Sequence, residues 1–169
     1  MNKLFITLLV CFISISQANS QKVGYIDSEL IITLLPEVKQ ANSDIEVMKA
    51  MFTKKGQDMV KTLQAKYQDL QKKQASGEIA PIELDKQSAA LKAEEAKLQE
   101  FEQTSQKTIY DKSEELLNPI QEKVNQAIKD VAKENGFIYI FDMSQGVVLY
   151  ADPANDVTNL VKAKLGVKL

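Results

Sequence analysis

Between residues 36 and 135 the apolar positions recur every seven residues. Ile45, Phe52 and Met59 form one row, Leu63 and Leu70 a second, Leu84, Leu91 and Leu98 a third, and Leu117, Val124 and Val131 a fourth. Ile109, Leu116, Ile120 and Ile128 accompany the last row. A seven-residue repeat predicts two helices wound on each other. The pattern breaks at Ala75–Pro81, where Gly77 suits a helix C-terminus and Pro81 the first turn of the next helix. The prediction is therefore two helices, Pro36–Ser76 and Pro81–Asn135, folded back on each other with a tip near residues 75–81. At 1.5 Å per residue they would run about 60 and 80 Å. Lys49, Gly56, Lys66 and Ser105 interrupt the rows, so the seam should be neither dry nor rigid. Gly56 alone costs the helix roughly 1 kcal/mol against alanine. Asn118-Pro119 is expected to bend the second helix or set its junction with the rest of the chain.

The ends of the chain switch to a period of two. Val23–Asp27 reads as a strand, with Asp27 or Ser28 capping a brief helix through Leu35. Phe137–Asp142 reads as a second strand, Met143–Gly146 as a turn and Val147–Ala151 as a third strand. Asp156 is placed to cap a terminal amphipathic helix carrying Val157, Leu160, Val161 and Leu165. The predicted organisation is a segment 1–20, a body made of residues 21–35 and 136–169, and a helical-hairpin arm over 36–135. The fold class is α+β, mostly α: a small β-body bearing a long antiparallel coiled-coil α-hairpin. The body segments are too short to bury a comfortable core alone, and oligomerisation is the usual remedy where disulfides are absent.

Residues 1–20 have the organisation of a secretory signal. Lys3 is followed by the apolar stretch Leu4–Ile15, and Ala18-Asn19-Ser20 sets small residues for cleavage after Ser20. The apolar stretch is shorter than the ~20 residues of a spanning helix, which weighs against an uncleaved anchor. Val10 before Cys11 is too bulky for a lipoprotein site. Cleavage removes the only cysteine, and the chain holds neither His nor Trp; its basic residues are all Lys. Without His or Cys there is no ordinary zinc site, no Ser-His-Asp triad and no Cys nucleophile. Ser-Lys or paired-carboxylate chemistry stays formally open, but nothing promotes it, so a non-enzyme without cofactor or metal is expected. The slightly acidic balance, net −2 for the full chain, argues against a nucleic-acid partner. Charge is unevenly divided: residues 37–76 hold eight Lys and five acids, residues 78–135 eight Lys and thirteen acids. The two helices should attract, though exposed pairs are worth only ~0.2–1 kcal/mol each.

The order strand, short helix, long helical hairpin, β-hairpin, terminal helix resembles the Skp family of periplasmic chaperones, also called OmpH. The matching residues are Lys22–Asp27 with Ser28–Leu35 at the front, and Lys133-Glu134-Asn135-Gly136-Phe137 through Phe141-Asp142, Val148-Leu149-Tyr150 and Asp156-Val157-Thr158 at the back. The resemblance spans essentially the whole chain after the signal; the ends carry its specific features, the arms only length and pattern. It implies a periplasmic homotrimer in which a shared β-body carries three helical hairpins around a cavity. Unfolded outer-membrane proteins would be held there, without ATP. The best-known members are strongly basic and use Arg, whereas this chain is Arg-free and mildly acidic. That departure puts lipopolysaccharide recognition in doubt.

Under that resemblance Val23, Tyr25, Ile138, Tyr139, Ile140, Phe141, Val148 and Tyr150 are assigned to the oligomer interface, an aromatic ligand pocket being the alternative. Met48, Met51, Phe52, Met59, Tyr67 and Phe101 are candidates for contact with an unfolded client, because adaptable apolar side chains suit promiscuous binding. Phe52, Met59 and Phe101 equally suit the hairpin seam, which leaves Met48 and Met51 as the better client contacts. Lys54, Lys55, Lys61, Lys66, Lys72 and Lys73, against Asp58 and Asp69 alone, offer a surface for an anionic membrane, or a solvated face balanced by the acidic helix. Asp27 and Asp142 look like a carboxylate pair but suit capping better. A structural or adaptor coiled coil of the cell envelope is the alternative function. An integral barrel fails, since no series of ~10-residue alternating strands exists.

Overall fold

The computed structural model describes residues 21–167; the predicted signal and its cleavage point after Ser20 border or lie outside the described residues. In chain order the elements are β1 (Val23–Ile26), α1 (Ser28–Leu34), α2 (Pro36–Ala75), α3 (Pro81–Asn135), β2 (Tyr139–Asp142) and α4 (Thr158–Lys164). A 3-10 turn, Pro153–Asn155, precedes α4. They group into two compact units. One, the body, comprises the described residues up to Ile32 and from Val124 onward; the other, the hairpin unit, is Thr33–Lys123.

The hairpin unit is a helical pair. Pro36 and Pro81 occupy the first turns of α2 and α3, where the missing N–H is an orphan in any case. Gly77 ends α2 at φ +72°. That left-handed turn lets the Glu78 N–H reach the Lys73 carbonyl at 3.0 Å and the Gly77 N–H the Gln74 carbonyl at 3.3 Å. Carbonyls that a helix end would strand are thereby satisfied. Gly136 closes α3 in the same way, with the Phe137 N–H on the Ala132 carbonyl at 2.9 Å. The expected Ser76 terminus is Ala75, and α3 runs through Pro119 as one element. Proline there deprives the Glu115 carbonyl of its helical donor. Ala41, Ile45, Leu70 and Leu91 are buried along the seam, while Phe52, Met59, Leu63, Leu84 and Leu98 are only half-buried.

The body corrects one expectation. Three strands and a β-hairpin are predicted, but among the described residues there are two strands, and they are parallel. Val23 pairs with Tyr139, Gly24 with Ile140, Tyr25 with Phe141 and Ile26 with Asp142. The turn after β2 forms, its Gly146 N–H on the Met143 carbonyl at 3.1 Å, yet residues 147–151 do not return as a strand. β-propensity marks a segment able to pair and says nothing of its partner, and β2 pairs with β1 instead. On its other edge, β1 takes the Val157 N–H on the Tyr25 carbonyl at 2.9 Å and bridges Asp156. β1 is therefore flanked on both sides. Ile26, Ile31, Val124, Val131, Val157 and Val161 form the core of this unit, each no more than 2 % exposed. Gly24 is glycine for packing: a Cβ there would meet the Phe137 ring at 3.0 Å and Val157 Cγ1 at 3.1 Å.

Candidate functional site

Two surfaces carry the residues singled out from the sequence, one in each unit. In the body, alternation along paired strands decides which side chains share a face. Gly24 and Ile26 are buried, and their register partners Ile140 and Asp142 lie on that inner side. Val23, Tyr25, Tyr139 and Phe141 share the outer face, where the Tyr139 and Phe141 rings stack at 6.2 Å between centroids. Tyr139 is 60 % and Phe141 51 % exposed, large areas for aromatic side chains. A groove of about 330 Å³ runs along this face, lined by Val23, Tyr25, Phe141, Val148 and Tyr150 with Asp152 at its rim. Five of the eight residues assigned to an interface thus converge on one groove, with Tyr139 beside it. Ile140 points to the opposite face, and Ile138 is exposed just before β2. The segment between turn and groove is strongly apolar and open to solvent, Leu149 at 95 % and Tyr150 at 83 %.

The two aspartates act as caps. Asp27 Oδ1 accepts the Leu30 N–H at 2.8 Å and so caps α1. Asp142 accepts from the Ser28 hydroxyl at 2.5 Å, the Ser28 N–H at 3.2 Å and the Ser144 N–H at 3.0 Å. This buckle joins the start of α1 to the end of β2, and the sequence gives no sign that Ser28 is the partner. Burial pushes the Asp142 carboxyl up, but the donors from Ser28 and Ser144 outweigh it and hold the group below its ordinary value. Lys22 sits over the Phe137 ring at 4.2 Å and donates to the Asn135 carbonyl at 3.0 Å, a cation at the C-terminus of α3.

In the hairpin unit, Phe52 and Phe101 meet edge to face across the seam at 5.9 Å, with the Lys55 ammonium 5.0 Å from the Phe101 centroid. Met59 is half-buried and lines a groove of about 420 Å³ with Leu63 and Leu98. Met48 is half-buried and Met51 is 56 % exposed. Tyr67 donates to Glu95 at 3.0 Å. Charges cross the seam in both directions: Lys66 of α2 pairs with Glu94 of α3, as the uneven Lys and acid content suggests, while Lys123 of α3 pairs with Glu37 of α2 at 2.6 Å. The hydrogen bond from Lys123 holds the Glu37 carboxyl below its usual value. Of the lysine group, Lys66 is paired across the seam, Lys73 with Asp69 at 2.6 Å, and Lys55 lies on an aromatic ring; Lys54, Lys61 and Lys72 are exposed. Gly56 and Ser105, read as breaks in the rows, open a groove of about 970 Å³ bordered by the amides of Gln57, Gln64 and Gln106, whose role heptad reading does not reveal. Among the described residues no helix is long and apolar enough to cross a membrane.

The comparisons agree with this architecture. A solved structure from Caulobacter crescentus CB15, described as that of an OmpH-like outer membrane chaperone, superposes with a TM-score of 0.72 at 21 % identity. The match covers 88 % of this chain and 85 % of that one. No curated protein matches the chain. The family model for outer membrane protein (OmpH-like) matches residues 22–165, both strands and both long helices included, and the chain accordingly belongs to the OmpH-like family.

Proposed function

We propose that this chain is an ATP-independent holdase of the periplasm that assembles as a homotrimer and keeps unfolded outer-membrane proteins from aggregating. The observation that carries the reading is the open seam of the hairpin unit, where grooves of about 420, 520 and 970 Å³ follow one another between α2 and α3. A holdase needs many weak, adaptable apolar contacts on a surface soluble enough to stay unaggregated, and Met51 and the half-buried Met48 and Phe101 supply such contacts among lysines and glutamates. Assembly is supported by the body face of Val23, Tyr25, Tyr139 and Phe141 and by the bare segment at Val147–Tyr150. Apolar area of this kind on so small a body calls for a partner. The likeness to a structure described as an OmpH-like chaperone points the same way. Lys54, Lys61 and Lys72 would add attraction to anionic surfaces.

The purified chain without residues 1–20, and without nucleotide, should keep a urea-diluted outer-membrane β-barrel protein soluble at about three chains per client. Native mass spectrometry should find a trimer. Tyr139→Asp combined with Phe141→Asp, both on the outer face, should yield monomers that no longer hold the client. Aggregation of several such clients despite an intact trimer would favour an envelope adaptor instead.

A further inference from the structure

Cleavage after Ser20 would make Gln21 the first residue of the chain. Glutamine at that position can close on itself, because its side-chain carbonyl carbon lies at the right reach for a five-membered lactam with its own α-nitrogen. Asparagine would need a four-membered ring, and glutamate would have to expel a poorer leaving group. Both reacting groups belong to one residue, so no encounter has to be arranged. The α-amine, with an ordinary pKa of about 8, is partly neutral near physiological pH and then nucleophilic. Gln21 is exposed and lies outside β1, which begins at Val23. Only Gln21 and Lys22 would therefore stand between the new terminus and the strand. Lys22 is no spare residue. Its carbonyl accepts the Ile138 N–H at 2.8 Å, and its ammonium lies 4.2 Å from the Phe137 centroid while donating to the Asn135 carbonyl at 3.0 Å. The strand it leads into is the one that β2 and Val157 both join. Trimming by two residues would remove this clasp and bare the edge of the body's sheet.

We infer that Gln21 becomes a pyroglutamate once residues 1–20 are removed, and that the ring shields Lys22 and β1 from aminopeptidases. The α-nitrogen bonds to the side-chain carbonyl carbon as the bond from that carbon to the amide nitrogen breaks. The amide nitrogen takes up the proton shed by the amine and leaves as ammonia, so no oxidant or cofactor enters. The terminal positive charge is lost with it, and an aminopeptidase that grips a free α-ammonium finds none. The inference rests on export with cleavage after Ser20. For the test, the full-length chain is exported from a Gram-negative host, recovered from the periplasm and incubated at mildly alkaline pH. Intact mass and N-terminal fragment ions should show a chain that begins at Gln21 and is lighter by one ammonia, with the loss on the first residue. Added aminopeptidase should leave it whole, whereas Gln21→Ser should be trimmed past Lys22 and its melting temperature should fall by about 2–6 °C. A chain beginning at Gln21 that keeps its full mass and still reacts with an amine-selective reagent would overturn the inference and leave the export reading standing. Equal resistance of parent and variant to the aminopeptidase would overturn the shielding role. A chain that begins at another residue, or retains residues 1–20, would overturn the cleavage reading and the inference with it.

Discussion

Within the body, Val124, Val157 and Val161 lose essentially all contact with solvent, whereas in the hairpin unit the much larger Phe52 and Phe101 stay half-exposed. Both units draw on the same apolar residue types, so composition is not the difference. The body closes strand, helix and helix end around one point, with Gly24 trimmed to let Phe137 and Val157 approach. The hairpin unit has two surfaces only, and a glycine, a serine and lysines occupy places where a tight coiled coil would set branched aliphatics. One unit is built like a protein interior. The other is built like a surface folded against itself, which is what weak and adaptable binding requires.

That contrast can be broken or sharpened by substitution. Ile31→Ala in the body core should cost about 2–5 kcal/mol in chemical denaturation, because a fully buried branched side chain leaves a cavity that cannot collapse. A loss below about 1 kcal/mol would mean the body is as loosely filled as the hairpin unit. Gly24→Ala should cost about 1–3 kcal/mol by overpacking against Phe137 and Val157. A stabilised alanine variant would show that the inner face has slack.

Ser28→Ala should cost about 1 kcal/mol near neutral pH by removing a hydrogen bond to a carboxylate. The Asp142 carboxyl lies below its ordinary value in the folded state, so its contribution is present above the unfolded carboxyl pKa. That contribution disappears as the pH falls below about 4, and the variant and parent should converge there in acid denaturation. A gap that persists in acid would assign the loss to packing. Lys66→Ala, which removes an exposed pair with Glu94, should cost at most about 1 kcal/mol, with a smaller effect in high salt. A larger loss of helical signal on heating would make charge, not the apolar seam, the main fastening of the hairpin unit.

The long helices were legible because local chemistry determines them. Pro36, Gly77 and Pro81 bound them to within a residue, and the seven-residue rows show which sides meet. What the pattern misses depends on partners distant in sequence. Residues 147–151 are β-prone like a strand, yet a one-chain pattern cannot say that β2 pairs with β1 in parallel. Val124 and Val131 continue the heptad row of the helix, although they belong with the body core. Ser28 as the donor to Asp142, and the bulk that excludes any side chain at Gly24, likewise exist only after the ends meet. In the groove the reverse holds: Gly56 and Ser105 are visible as interruptions, while the polar rim of glutamines is hidden in positions that heptad reading discards.

The pairing of β1 with β2 also sets an order of events during synthesis. Asp27 and Thr158, joined by a 3.2 Å hydrogen bond, are 131 positions apart, so the first strand emerges long before anything it can join. The intervening helices close through local contacts and bring the two ends within reach, reducing the entropy lost in the final joining. A nascent chain halted before Tyr139 would hold a finished hairpin and an orphaned strand, making the residues from Tyr139 onward the point at which the molecule commits to its fold.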